Sequence, residues 1–119
     1  MTKKERTKLN TLLHQLLRLR DGEKCLRCGK RTTLQLSHIY PKGTHRKMEH
    51  DEWNVKLLCS GCHIFWWHKS PIEAWEWLRE TLPKERLGYL KQRANSIDKT
   101  RYDFKKKKAE LEARIEELN

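Results

Sequence analysis

Leu9, Leu12, Leu13, Leu16 and Leu17 recur at steps of three and four, which predicts an amphipathic helix over residues 3–20, ended by Asp21-Gly22. Its other face carries Lys3, Lys4, Lys8, Arg18 and Arg20. The pattern then changes. Thr32-Thr33-Leu34-Gln35-Leu36 is β-branched and then alternating, the mark of a short strand, and Ile39-Tyr40-Pro41-Lys42-Gly43 follows with turn residues. A second extended segment is expected near Val55-Lys56-Leu57-Leu58, and a helix carrying Cys62 to His68 begins near Ser60. Ser70-Pro71-Ile72-Glu73 predicts a capped helix start, with Ser70 and Glu73 as a capping box and Pro71 in the first turn. That helix is expected to bury Ile72, Trp75, Leu78 and Leu82 and to stop before Pro83.

After Pro83, apolar positions at Leu87, Leu90, Ala94, Ile97, Phe104, Leu111, Ile115 and Leu118 are interrupted by Arg101 and Lys108. This fits either a heptad-like seam or, if Asn95-Ser96-Ile97-Asp98 breaks it, two helices wrapping a small core. The reading is a small, mostly helical α+β chain. Its parts are a basic N-terminal helix (1–22), a central unit (23–82) and a helical extension (83–119).

Composition sharpens this picture. The 119 residues are 36% hydrophobic and 36% charged, too polar for a large apolar core, and a chain of this kind usually needs a staple. No apolar stretch approaches the ~20 residues of a membrane span, so no membrane partner is expected. Nor does an apolar segment follow the charged N-terminus as in a signal peptide, so a cytoplasmic location is expected. The formal charge is +11, and residues 1–31 hold ten basic against three acidic side chains. A polyanion partner, nucleic acid first, is one reading of that excess, and a solubilising surface is the other.

Cys25-Leu26-Arg27-Cys28 and Cys59-Ser60-Gly61-Cys62 are two CxxC knuckles thirty residues apart. Each turn aims two sulfurs at one point, and four thiolates complete a tetrahedral zinc site with no open position. A redox CxxC needs one copy, not two, so one structural zinc ion is the expected cofactor.

Between and beside the knuckles lie His38, Asn54 and His63. Cys25-x-x-Cys28-Gly29, Leu36-Ser37-His38-Ile39, Asn54 and Leu58-Cys59-x-x-Cys62-His63 resemble the zinc-containing branch of the HNH endonucleases, which has the ββα-metal fold. The run through Trp66-Trp67-His68-Lys69-Ser70-Pro71 is similar to phage proteins of the NinG/Rap recombination type, and the knuckles resemble phage endonuclease VII. The resemblance covers roughly residues 20–80. It implies a zinc-stapled ββα-metal core that hydrolyses DNA, duplex or branched, to 5′-phosphate and 3′-hydroxyl ends, in a chain of phage or prophage origin. His38 matches the general base, Asn54 the residue that holds the base-bearing loop, and His63 a ligand of one catalytic divalent metal, Mg2+, Mn2+ or Ni2+. Lys3, Lys4, Lys8, Arg18, Arg20 and Lys42 are the expected DNA contacts. Monomer and homodimer both remain open.

The chain departs from the family at Ser37. Many members carry Asp or His there as a second metal ligand. The substitutes available are His68, His45 or His50, and Asp51. On an α-helix, five residues turn about 500°, which sets His63 and His68 roughly 140° apart unless the helix ends or tightens between them. His14 reads more simply as a surface or packing residue, His45 and His50 as solvated residues of a charged loop, and His68 as packing beside Trp66 and Trp67. Ser37 also supports a second reading as a non-catalytic zinc-knuckle DNA-binding or adaptor protein, and a third is an HNH enzyme that acts on RNA.

Overall fold

The computed structural model describes residues 1–98 and 100–119. Helix α1 spans Lys3–Asp21; strands β1 (Leu34–His38) and β2 (Val55–Cys59) form the one sheet among the described residues. A π-helix follows at Gly61–Trp67, then α2 (Pro71–Thr81), α3 (Lys84–Asn95) and α4 (Phe104–Leu118). Two 3₁₀ turns, Arg46–Met48 and Glu52–Asn54, sit in the connection between the strands. This is a small α+β fold, and the extension after Pro83 is two separate helices.

The leucine stripe of α1 is buried throughout. The helix opens on a capping box that the sequence reading did not find: Thr2 Oγ1 accepts from the Glu5 N–H, and the Glu5 carboxylate accepts from the Thr2 N–H. It closes at Gly22, whose φ of 90° suits glycine. At the other expected box, Ser70 is the N-cap but makes no side-chain cap bond. The buried residues of α2 are Ala74 and Leu78, while Ile72 is 73% exposed, so its inward face is rotated from the expected one.

The strands are antiparallel, with Leu34 opposite Cys59 and His38 opposite Val55. β1 starts two residues later than expected because Thr33 takes a positive φ of 56°. Every residue of β2 is buried, because both faces of the hairpin are covered. On one face, Val55 and Leu57 join the leucines of α1 and Leu111 and Ile115 of α4. On the other, Leu58 and three of the cysteines, Cys25, Cys59 and Cys62, join Trp67, Ala74, Leu78 and Leu90. Ile97, expected on the C-terminal seam, is 91% exposed in the connection between α3 and α4.

Candidate metal centres and the histidine cluster

Four sulfurs converge where the hairpin meets the π-helix. The donor atoms of Cys25, Cys28, Cys59 and Cys62 lie within 4.8 Å of one another. Tetrahedral Zn–S bonds of about 2.3 Å imply S···S edges of about 3.8 Å, and Cys28 Sγ to Cys59 Sγ is 3.7 Å. The donor set therefore fits a structural zinc ion. The first knuckle turn favours the Cys25 thiolate. Burial raises the Cys25 thiol, but the backbone N–H groups around it outweigh that and bring it down to about 7. Burial pushes Cys62 up to about 12 in the free thiol set, opposed by the Arg27 guanidinium. Arg27 Nη1 donates to Cys62 Sγ at 3.5 Å while its guanidinium stacks 3.9 Å from the Trp66 ring centre. The sequence reading gave Arg27 no role, although its place inside the first knuckle is a signal for one.

Downstream of Cys62 the helix winds wide. The His68 N–H donates to the His63 carbonyl at 3.3 Å, an i→i−5 bond. Five residues then make roughly one full turn, so positions that an α-helix would separate are stacked. The His63 and His68 rings lie 4.7 Å apart. The helix does end between them, at Trp67 with His68 as its C-cap, but its last turn widens where tightening was the other expectation. Gln35 on β1 fixes the tautomer, since His63 Nδ1 donates to Gln35 Oε1 at 2.7 Å and leaves Nε2 with a free lone pair. Burial, then His68, Lys56, His38 and Lys42, lower the His63 pKa to about 4, so the ring is neutral near pH 7.

His38 ends β1. Its Nε2 donates to the Glu49 carbonyl at 2.8 Å, leaving Nδ1 free to accept a proton. Burial lowers its pKa, with Lys42 and Lys56 acting the same way against the Glu49 contacts. Asn54 is fully buried and clasps the inter-strand connection. Its Oδ1 accepts from the Tyr40 N–H at 2.8 Å, and its Nδ2 donates to the carbonyls of Tyr40 and Met48 at 3.1 and 3.0 Å.

The other candidates are dispersed. Ser37 shares the Gln35 face of β1 but is fully buried, and its Oγ accepts from Lys56 Nζ at 3.0 Å. An amine, not an open coordination position, therefore faces the serine. Lys56 Nζ also lies 3.3 Å from the Trp67 ring centre, and burial, helped by Arg86, holds its pKa well below the usual lysine value. Asp51, a possible metal ligand, has other partners. It caps the second 3₁₀ turn through the Trp53 N–H, accepts from Tyr89 Oη at 2.6 Å and pairs with Arg93 at 3.1 Å. His50, expected in a solvated loop, is 1% exposed and bonded to Tyr102 and Asn10. His45 stays at the surface beside Thr44, and His14 faces the Leu34 carbonyl at 3.3 Å. Among the described residues, no carboxylate joins the two imidazoles in a cluster of three metal donors.

The expected DNA contacts divide. Lys3, Lys4 and Lys8 are exposed on α1. Arg18 is exposed and 3.8 Å from Glu23. Arg20 is turned inward instead. It pairs with Asp21 at 2.7 Å and donates to the carbonyls of Glu52 and Val55, so it serves the fold. Lys42 is exposed and contributes to the field at His38, His50 and His63. No helix among the described residues is long and apolar enough to cross a membrane. Compared with family models, with curated proteins and with solved structures, the chain matches none of them.

Proposed function

We propose that this chain is a metal-dependent DNA endonuclease of the HNH type, stapled by one zinc ion in the cysteine tetrad. The observation that carries the reading is the pairing of His63 with His68 at 4.7 Å, on the helix after the last cysteine, with His38 Nδ1 left free. His38 Nδ1 takes a proton from a water that attacks the phosphodiester phosphorus, and the bond to the 3′ oxygen breaks. A divalent ion held by His63 Nε2 and His68 would stabilise the charge on the phosphate and on the departing oxygen. Asn54 holds the connection that carries the Glu49 carbonyl, and so fixes the His38 ring. Lys42 and the exposed lysines of α1 meet the phosphate backbone. Branched recombination DNA is the substrate that the resemblance favours.

The donor set sets the choice of ion. Mg2+ prefers oxygen ligands in near-ideal octahedral geometry, and imidazole suits Mn2+, Co2+ or Ni2+ better. With Asp51 engaged elsewhere, cleavage is expected to be faster with Mn2+ or Ni2+ than with Mg2+. One observation favours a second reading, a DNA-binding adaptor: the Lys56 amine beside Ser37 where a second ligand would stand. Supercoiled plasmid, incubated with the zinc-loaded protein and Mn2+ or Mg2+, separates the two. Nicking by the wild type, abolished in His38→Ala with DNA affinity within a few-fold, is the expected result. Equal cleavage by His38→Ala would remove the catalytic assignment, and DNA binding with no cleavage under any ion would leave the adaptor.

A further inference from the structure

The Glu49 carbonyl decides which ring nitrogen of His38 carries the proton, so whatever holds residues 48–50 holds the base. Three elements outside the hairpin and the π-helix converge there. From α1, Arg6 Nε pairs with the Glu49 carboxylate at 3.0 Å, and Asn10 Oδ1 accepts from His50 Nε2 at 2.9 Å. From the segment before α4, Tyr102 Oη donates to His50 Nδ1 at 2.7 Å, with its ring edge-on to the imidazole at 5.7 Å. From α3, Arg93 Nη2 donates to the Lys47 carbonyl at 2.9 Å.

The His50 side chain is fully buried, so each of its nitrogens depends on a protein partner. The ring uses both in one arrangement: Nε2 donates towards α1 and Nδ1 accepts from Tyr102. That arrangement requires a neutral imidazole. Burial, with the charges of His38, Lys107, Arg6 and Lys42, lowers its pKa to about 4, which keeps it neutral.

We infer that Tyr102, acting through His50, is a positioning residue for His38, and that the segment after Pro83 thereby belongs to the active site. The inference rests on the reading of His38 as general base. Removing the Tyr102 hydroxyl leaves a buried acceptor at His50 Nδ1 without a donor. The imidazole then gains a reason to change tautomer or turn, and the adjoining Glu49 carbonyl loses its fixed direction. His38 next loses the bond that keeps its proton on Nε2, and a fraction of molecules presents a protonated Nδ1 to the water.

The test uses full-length, zinc-loaded, 15N-labelled protein. Long-range 1H–15N spectra of the imidazoles are recorded near pH 7.5 for wild type, Tyr102→Phe and Asn10→Leu. The wild type is expected to show His38 as the Nε2–H tautomer alone, and both variants a mixture. Plasmid nicking with Mn2+ should fall about tenfold in kcat in each variant, with KM within twofold. A merely structural role would lower the melting temperature without moving the tautomer. Asn10→Leu cuts the tie from α1 and keeps the test open if Tyr102→Phe folds poorly. An unchanged His38 tautomer in the variants overturns the inference. Wild-type protein that never nicks DNA would remove the endonuclease reading, while the spectra still decide the coupling.

Discussion

The two faces of one hairpin are stabilised by different physics. Towards α1 and α4, β2 meets a core of leucine, isoleucine and valine with no buried aromatic and no metal ligand. Towards the π-helix and α2, it meets the buried Cys25 and Cys62 and Trp67, with Ala74 and the aliphatic Leu78, Leu82 and Leu90, and the half-buried Trp66, Trp75 and Trp77. The first face needs only the hydrophobic effect. The second is built on four thiols that have no reason to converge without an ion. The tetrad, His63 and His68 lie on the second face, while His38 ends β1, Asn54 and Lys42 belong to the connection between the strands, and Lys3, Lys4 and Lys8 are exposed on α1. The largest effects are expected where a metal replaces a core.

Breaking the zinc side should be the most damaging change. Structural zinc contributes about 10–16 kcal/mol to folding in small sites, as much as a domain's whole net stability of roughly 5–15 kcal/mol. Cys59→Ser, or strong chelation, is therefore expected to abolish the cooperative thermal transition. The tryptophans near the tetrad should lose their near-ultraviolet circular dichroism, because none of them sits in the α1 core. Elemental analysis should give one zinc per chain. A quadruple cysteine variant with wild-type near-ultraviolet signal would show that the metal side stands without metal.

Breaking the aliphatic side should cost less and leave the zinc in place. Leu13 is fully buried among the α1 leucines. Leu13→Ala is expected to cost about 2–5 kcal/mol, towards the upper end because the packed helices cannot close around the void. Urea unfolding should register this with zinc content still at one. Loss of zinc in Leu13→Ala would mean that the two faces fold as one inseparable unit.

This contrast also explains what the sequence made legible. The leucine stripe of α1 and the paired CxxC knuckles are periodic or spaced signals, and the structure contains the helix and the converging thiols. The π-helix was hidden because the i, i+5 spacing of His63 and His68 means nothing on the α-helical template used to read it. Lys56 was hidden because a lone lysine in a strand reads as solvent-facing, and only the two-sided cover of β2 buries it. Ile72 was misplaced because its spacing to Trp75 matched a stripe, whereas the chain buries Ala74 instead. His50 and Tyr102 are fifty-two positions apart, and no local pattern pairs them.

His50 sharpens the comparison by joining α1 and the α4 lead-in to the connection between the strands. Its folded pKa of about 4 lies below the ordinary 6.5, so the unfolded chain binds more protons between those values. The neutral ring therefore stabilises the fold fully above about pH 6.5, and that contribution is lost as pH falls towards 4. By pH 5 the loss is about 2 kcal/mol at 1.36 kcal/mol per unit. Denaturant unfolding of the zinc-loaded protein between pH 7.5 and 5 should show it as the difference from His50→Asn, which keeps a donor and an acceptor but does not titrate. Thiolate protonation acts on both proteins and cancels. Identical pH slopes would mean that His50 carries its charge in the fold.

The smallest effect should be a gain. Lys56 is fully buried on the metal side, with its amine on Ser37 Oγ and the Trp67 face. Desolvation disfavours its charged form, and its pKa lies well below 10.5. Folding near neutral pH must then either strip a proton from this lysine or bury its charge, and both cost free energy. Lys56→Met keeps the length and apolar stem, removes that cost, and loses one hydrogen bond worth about 1 kcal/mol. The variant is expected to be more stable by about 1 kcal/mol at pH 7. The advantage should shrink as pH rises towards 10.5, where the unfolded lysine also becomes neutral and the wild type no longer gives up a proton on folding. If Lys56→Met is less stable at every pH, the amine's contacts outweigh its desolvation. If it is more stable but nicks DNA more slowly, the buried lysine serves the histidines at the expense of the fold, and the metal side carries a functional strain that the leucine side does not.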